Sequence, residues 1–312
     1  MAPNQTYLEK ADLQVANFTN EGGLLVPEQA KEFIDIQIVE SVLMGMCTVK
    51  TMSTPTYELS KMGFTGRVLR GAVEGQALGV GDRSKPELGR VQLTPVEFIA
   101  EARISYTAVE DNIAQGTFMP YLTRQIGAAV ARDMELVVVQ GDTASTDLLL
   151  KKLNGILKQA TSSVFAAGSV KLTKTVFDTM VKTMPSQYYR GAKNMALLTS
   201  KNAAIDYVSS LANRATPLGD AALVKQAAGE YMGLPVVPIP LFPENLGAGL
   251  DTTNVLLVDP KNITVGINRD IRIETDKDIS AREYIVVVTL RFDVKFAHEP
   301  AVVKATGVLA SA

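Results

Sequence analysis

The spacing of apolar residues changes several times along this chain, and each change marks a region. After a polar opening to about Gly23, the run LLVPEQAKEFIDIQIVESVLMGMCTV sets Pro27 at a helix start. Apolar residues then recur at Phe33, Ile34, Ile38, Val42 and Leu43, a helical period. From 51 to about 95 the pattern turns short-stranded and is broken by seven glycines between Gly63 and Gly89, which predicts a hairpin-like excursion with a loose tip. VQLTPVEFIAEARISY alternates as one long strand, and Thr107 stands where it would cap a short helix over AVEDNIA.

A longer helix follows through YLTRQIGAAVARDMELVVVQ, with Pro120 in its first turn and Leu122, Ile126, Ala129, Val130, Met134 and Val137 on one side. At 1.5 Å per residue it would span roughly 30 Å. Gly141 comes directly after the last periodic residues, where a left-handed residue commonly finishes a helix, and Asp142-Thr143 suit the turn beyond. Element types then alternate: a helix over 173–184, a strand in AKNMALLTS, a helix in KNAAIDYVSSLA capped by Ser200, and a strand in GLPVVPIP. VLLVDPKNITVGI, IRIETD, YIVVVTLRFDVKF and AVVKATG close the chain as strands, so the expected class is α+β with sheet on either side of a helical middle.

Composition narrows the chemistry. The 31 basic and 33 acidic residues nearly cancel and no like-charged block stands out, so no electrostatic footprint for nucleic acid or an anionic membrane is visible. No stretch approaches the ~18 apolar residues of a spanning helix, and a cytosolic protein is expected. With His298 the only histidine and Cys47 the only cysteine, a multi-imidazole or cysteine-histidine metal site is excluded. Cys47 lies among apolar residues and reads as a small core residue; His298, in FAHEPAVV, reads as a packed or surface histidine. Gly79-Val80-Gly81 begins a dinucleotide fingerprint that fails at Ser84 and Lys85-Pro86-Glu87, which open no apolar helix. Glu110-Asp111 and Asp276/Asp278 sit in polar segments of mixed sign, as turns or solvated faces do. No catalytic, cofactor-binding or metal-ligating set is expected, and no cofactor. A hydrolase using a serine with His298 remains a remote alternative.

In order and spacing, several stretches resemble the major capsid proteins of tailed bacteriophages, whose Hong Kong 97-type shell fold is shared with encapsulins. They are the run LLVPEQAKEFIDIQIVESVLMGMCTV, Glu74-Gly75, VQLTPVEFIAEARISYTAVED, the long helix ending QGDT, GLPVV, and RIETDKDISAREYIVVVTLRFDVKFAHEPAVVKATG. The resemblance implies an N-terminal arm over 1–26 and a peripheral domain from 27–50, 96–142 and 263–312, with a spine helix near 118–140. It further implies an extended loop over 51–95 and an axial domain over 143–262. The implied function is self-assembly into the pentamers and hexamers of an icosahedral virion head that encloses double-stranded DNA without sequence-specific binding and without a membrane. Assembly would take place in the host cytoplasm, with separate scaffolding, portal and decoration proteins as partners; if Met1 is the encoded start, shortly before the match, the scaffold is a separate protein or is dispensable. An encapsulin-like compartment is the main alternative. Within the extended loop, Arg67, Arg70, Glu74, Arg83 and Lys85 are candidates for intersubunit ion pairs, or simply solvate an exposed loop. Lys61 or Lys85 would be placed for a lysine-asparagine crosslink, but around 282–291 the asparagine and glutamate that such chemistry uses do not stand at the positions the resemblance expects, so no self-crosslinking is expected.

Overall fold

The computed structural model describes residues 42–64, 67–71, 74–77, 79, 81, 83–110, 118–189, 194–212, 229–247 and 251–310. The expected N-terminal arm, and the helix expected from Pro27 except for its last turn, lie outside the described residues. Helix α1 (Val42–Met46) leads into β1 (Thr48–Thr51), and β2 (Tyr57–Gly63) pairs antiparallel with β3 (Glu87–Leu93) as a separate two-stranded ribbon. After β4 (Val96–Ser105) come α2 (Tyr106–Glu110) and α3 (Phe118–Gln140). The chain continues through α4 (Ile156–Gln159), β5 (Ser163–Lys171), α5 (Lys174–Thr183), β6 (Ala196–Thr199) and α6 (Lys201–Ala212). The strands β7 (Glu230–Tyr231), β8 (Leu234–Pro238), β9 (Thr252–Val258), β10 (Ile263–Asp278), β11 (Glu283–Phe296) and β12 (Val303–Leu309) complete it.

Two sheets organise the body. One has the order β1-β10-β11-β4, and the other β5-β12-β9-β6-β8-β7. In β11 the period-two pattern buries Val286, Val288, Leu290, Phe292, Val294 and Phe296 on one face. Onto that face α3 sets Val130, Met134 and Val137, and Phe98 of β4 stacks on Phe292 with ring centroids 4.8 Å apart. A second core lies under α5 and α6 on the six-stranded sheet, where Phe177 meets the Tyr207 ring edge-on at 4.7 Å and Leu197, Leu257, Val303 and Val308 fill the remaining space. Ser200 Oγ accepts the Ala203 amide at 3.3 Å and so caps α6.

Four expectations need correction. The strand read as continuous from Val91 is broken at Thr94-Pro95, because proline donates no ladder bond; β3 ends at Leu93 and β4 begins at Val96. The cap of α2 is Ser105, whose hydroxyl accepts from Ala108 at 3.3 Å, rather than Thr107. The final strands do not all return to one unit: β12 runs parallel to β5 and antiparallel to β9, inside the six-stranded sheet. Gly141 does follow the last residue of α3, but not in a left-handed conformation, since positive φ among the described glycines is confined to Gly75, Gly168, Gly233 and Gly307. Its need for glycine is steric: a Cβ there would lie 2.5 Å from Leu153 O, 2.6 Å from Val137 O and 2.8 Å from Gly155 N.

Candidate assembly surface

The ribbon β2–β3 is the one described element that stands away from both cores. Its burial alternates weakly, and Met62, Leu69 and Leu88 are 74, 85 and 79% exposed, with Phe64 and Val68 about half exposed. An isolated two-stranded hairpin is marginal in water, and the exposed Arg90–Glu58 ion pair at 3.3 Å across this ribbon is a contact worth little. Large apolar side chains grouped on an element with no core of its own mark a contact surface. At its middle, burial lowers the Lys61 pKa, with Glu299 working in the opposite direction.

All five charged candidates fall in the tip between β2 and β3 and are exposed. Arg67 and Arg70 are brought together: Arg70 Nη1 donates to the carbonyls of Arg67 at 2.6 Å and Leu69 at 3.3 Å. None of the ion pairs between described residues includes Arg67, Glu74, Arg83 or Lys85. Within one subunit these side chains stay presented to the outside.

The root of the ribbon is built differently from its tip. Met52 and Leu93, 3 and 0% exposed, close over Gly266 of β10, where a Cβ would come within 2.6 Å of Met52 Sδ and 3.0 Å of Leu93 Cδ1. A register shift between Ile267 and Arg269 bulges β10 at Asn268, and its Nδ2 donates to Met52 O at 3.2 Å and Thr54 O at 3.1 Å. Opposite Gly266 in register stands Asp293, buried, with Oδ2 accepting the Thr94 amide and Oδ1 the Val294 amide, each at 2.8 Å. Burial raises the Asp293 pKa above the ordinary carboxylate value, against the pull of these amides and of Lys295. Sequence reasoning missed Gly266, Asn268 and Asp293. The available signal was an aspartate in the apolar run YIVVVTLRFDVKF, a position that is costly unless backbone donors meet the carboxylate.

The turn after α3 is a dense joint. Gly155 N donates to Gly141 O at 2.8 Å, Asp142 N to Leu150 O at 3.0 Å, and Gln140 Nε2 reaches Leu241 O at 2.6 Å. Asp142 accepts the Ala144 amide and pairs with Lys158 at 2.9 Å, and these partners hold its pKa below the usual value. That set of contacts fastens a helix end. His298 meets the Tyr188 ring edge-on at 4.7 Å while its backbone N–H donates to Asn262 Oδ1 at 2.7 Å, an arrangement suited to packing. Burial, helped by Glu135, pushes the Cys47 thiol up to about 12. Among the described residues no group of three or more His, Cys, Asp or Glu is arranged to hold a metal ion.

Comparison with known proteins places these features in context. Residues 21–307 match the phage capsid family. The chain is 36% identical over 305 residues to the putative prophage capsid protein YqbE of Bacillus subtilis (strain 168), covering 96% of this chain and 97% of that one. Among solved structures, the capsid of a native GTA particle superposes with a TM-score of 0.68 at 16% identity, over 93% of this chain and 98% of its own. The SrpI encapsulin of Synechococcus elongatus PCC 7942 gives 0.64 at 9% identity, over 97 and 98%. At such identities the two structures share the fold alone.

Proposed function

The chain belongs to the phage capsid family and is a shell protein with the Hong Kong 97-type fold, and from that premise we propose that its copies gather as pentamers and hexamers into the closed icosahedral head of a tailed phage. The head encloses double-stranded DNA, is assembled in the host cytoplasm, and uses separate scaffolding, portal and decoration proteins. The chain itself carries out no turnover and needs no cofactor. The near-balance of 31 basic and 33 acidic residues suits a wall that must hold DNA without adhering to it.

The observation that carries the reading is the ribbon β2–β3: extended, mostly open to solvent, with exposed apolar side chains such as Met62 and Leu88 and without a core. Laid across a neighbouring copy, it gains the burial that it lacks at home. Arg67, Arg70, Glu74, Arg83 and Lys85 then face that neighbour. In this scheme α3 is the spine of a peripheral domain that includes the four-stranded sheet. The axial domain comprises residues 143–262, to which β12 contributes its strand.

Electron microscopy of the full chain, expressed alone and with its neighbouring genes, tests the proposal. Closed shells are expected; small monodisperse particles under every condition would overturn it, and shells packed with a protein cargo would favour an encapsulin-like compartment. Deleting residues 60–85 should abolish shells and leave a folded subunit by circular dichroism. Unimpaired shells after that deletion would remove the role given to the ribbon.

A further inference from the structure

We infer that Asn268 and Asp293 are positioning residues that, with Gly266, form a socket setting the direction in which residues 55–92 leave the body, and thereby which neighbouring copy the ribbon reaches. The inference rests on the reading that the ribbon overlaps a neighbour.

The chain crosses between body and ribbon twice, and both crossings meet at one line of the four-stranded sheet. On the way out, β1 ends its pairing at Thr51↔Ile267 and Met52 N donates to Ile267 O at 2.8 Å; Asn268 then takes the carbonyls of Met52 and Thr54. On the way back, Leu93 drops into the hollow over Gly266, Asp293 takes the Thr94 amide, and β4 begins its pairing at Val96↔Phe292. Gly266 and Asp293 are register partners, so the two crossings are held side by side.

The chemistry of each clamp matches what it holds. Two carbonyls need a donor with two hydrogens, which an amide side chain supplies; a backbone N–H needs an acceptor, which a carboxylate supplies. A glycine between them admits both apolar feet, and the bulge turns Asn268 out of the ladder toward the departing strand. The clamps are therefore not interchangeable. Asn268→Asp would aim a carboxylate at two carbonyl oxygens, whereas Asp293→Asn keeps one acceptor oxygen for two amides. Asn268 acts on the ribbon's root through both of its bonds, and Asp293 through Oδ2, while Asp293 Oδ1 holds its own strand at Val294.

Hydrogen–deuterium exchange with mass spectrometry on unassembled full-length subunits tests the inference, comparing wild type with Asn268→Ala, Asn268→Asp and Asp293→Asn. Loss of one clamp should speed exchange in segments 52–62 and 87–95 by about tenfold, the size expected from removing a hydrogen bond that governs local opening. Asn268→Asp should exceed Asn268→Ala. Exchange in α3 and in the six-stranded sheet should stay at the wild-type rate. Wild-type exchange at the root in both Asn268→Ala and Asp293→Asn would overturn the socket, as would acceleration spread evenly over the chain. Should Asp293→Asn fail to fold, the two Asn268 variants still decide the matter. Loss of shells on deleting residues 60–85, with unaltered root exchange in the point variants, would leave the overlap standing and remove the socket alone.

Discussion

Two glycines, Gly127 within α3 and Gly141 just after its last residue, should respond to alanine with opposite signs. At Gly141 the added Cβ would meet backbone at 2.5, 2.6 and 2.8 Å, and backbone cannot rotate aside as a side chain can. To reach ordinary contact the 153–155 segment must withdraw, which strains Gly155 N→Gly141 O and Asp142 N→Leu150 O, now 2.8 and 3.0 Å. Overpacking of this kind costs about 1–3 kcal/mol and each weakened backbone bond about 0.5–1.5 kcal/mol, so Gly141→Ala should lose about 4 kcal/mol. At roughly 2–4 °C per kcal/mol for a chain of this order, Tm falls by about 10 °C. At Gly127 the Cβ would sit 3.6 Å from Ile273 Cδ1, an ordinary contact. There the helix gains about 0.5–1 kcal/mol from alanine's lower conformational entropy in the unfolded chain, and Tm should rise by a degree or more. Calorimetry of both variants alongside wild type makes the comparison. A Gly141→Ala protein melting at or above wild type would refute the argument from close backbone approach.

Two further outcomes follow from the electrostatics. With its titration pushed up to about 12, Cys47 is a neutral thiol at neutral pH, so maleimide labelling of the folded chain should be slow and become rapid only on unfolding; fast stoichiometric labelling of the native protein would contradict this. Burial works against ionised Glu299, but bonds from the Ser162 hydroxyl and amide and from Thr161 outweigh it and hold its pKa below 4.5. A depressed carboxylate contributes stability that is complete above its unfolded pKa and is lost as pH falls through the folded one. The melting temperatures of wild type and Glu299→Gln should therefore differ most above the ordinary glutamate pKa of 4.5 and draw together as pH falls below it through the depressed folded value, and a gap that does not change with pH would show that the charge is irrelevant.

What the sequence disclosed and what it hid divide along a physical line. A helix as long as α3 is written locally, in the recurrence of Val130, Met134 and Val137, and its span Phe118–Gln140 agrees with that pattern. Strand partners are not written locally. AVVKATG reads as a strand, yet nothing within it states that β12 sits between β5 and β9, because pairing joins residues far apart in sequence. The glycine after α3 was visible, but its cause was not, since the atoms that forbid a Cβ come from Leu153 and Gly155 as well as from Val137. The charged tip of the ribbon could be read from composition, whereas its root could not, because Gly266, Asn268 and Asp293 gain their role only when two crossings meet on one sheet.

The thinness of the ribbon also bears on the kinetics of association. An element that stabilises itself poorly makes the first encounter between two copies unrewarding, because each must fix many side chains for one shared contact. A copy joining a partly closed ring meets several ordered surfaces at once and binds far more firmly. Growth from dispersed subunits should therefore show a lag followed by rapid completion, with few half-built intermediates.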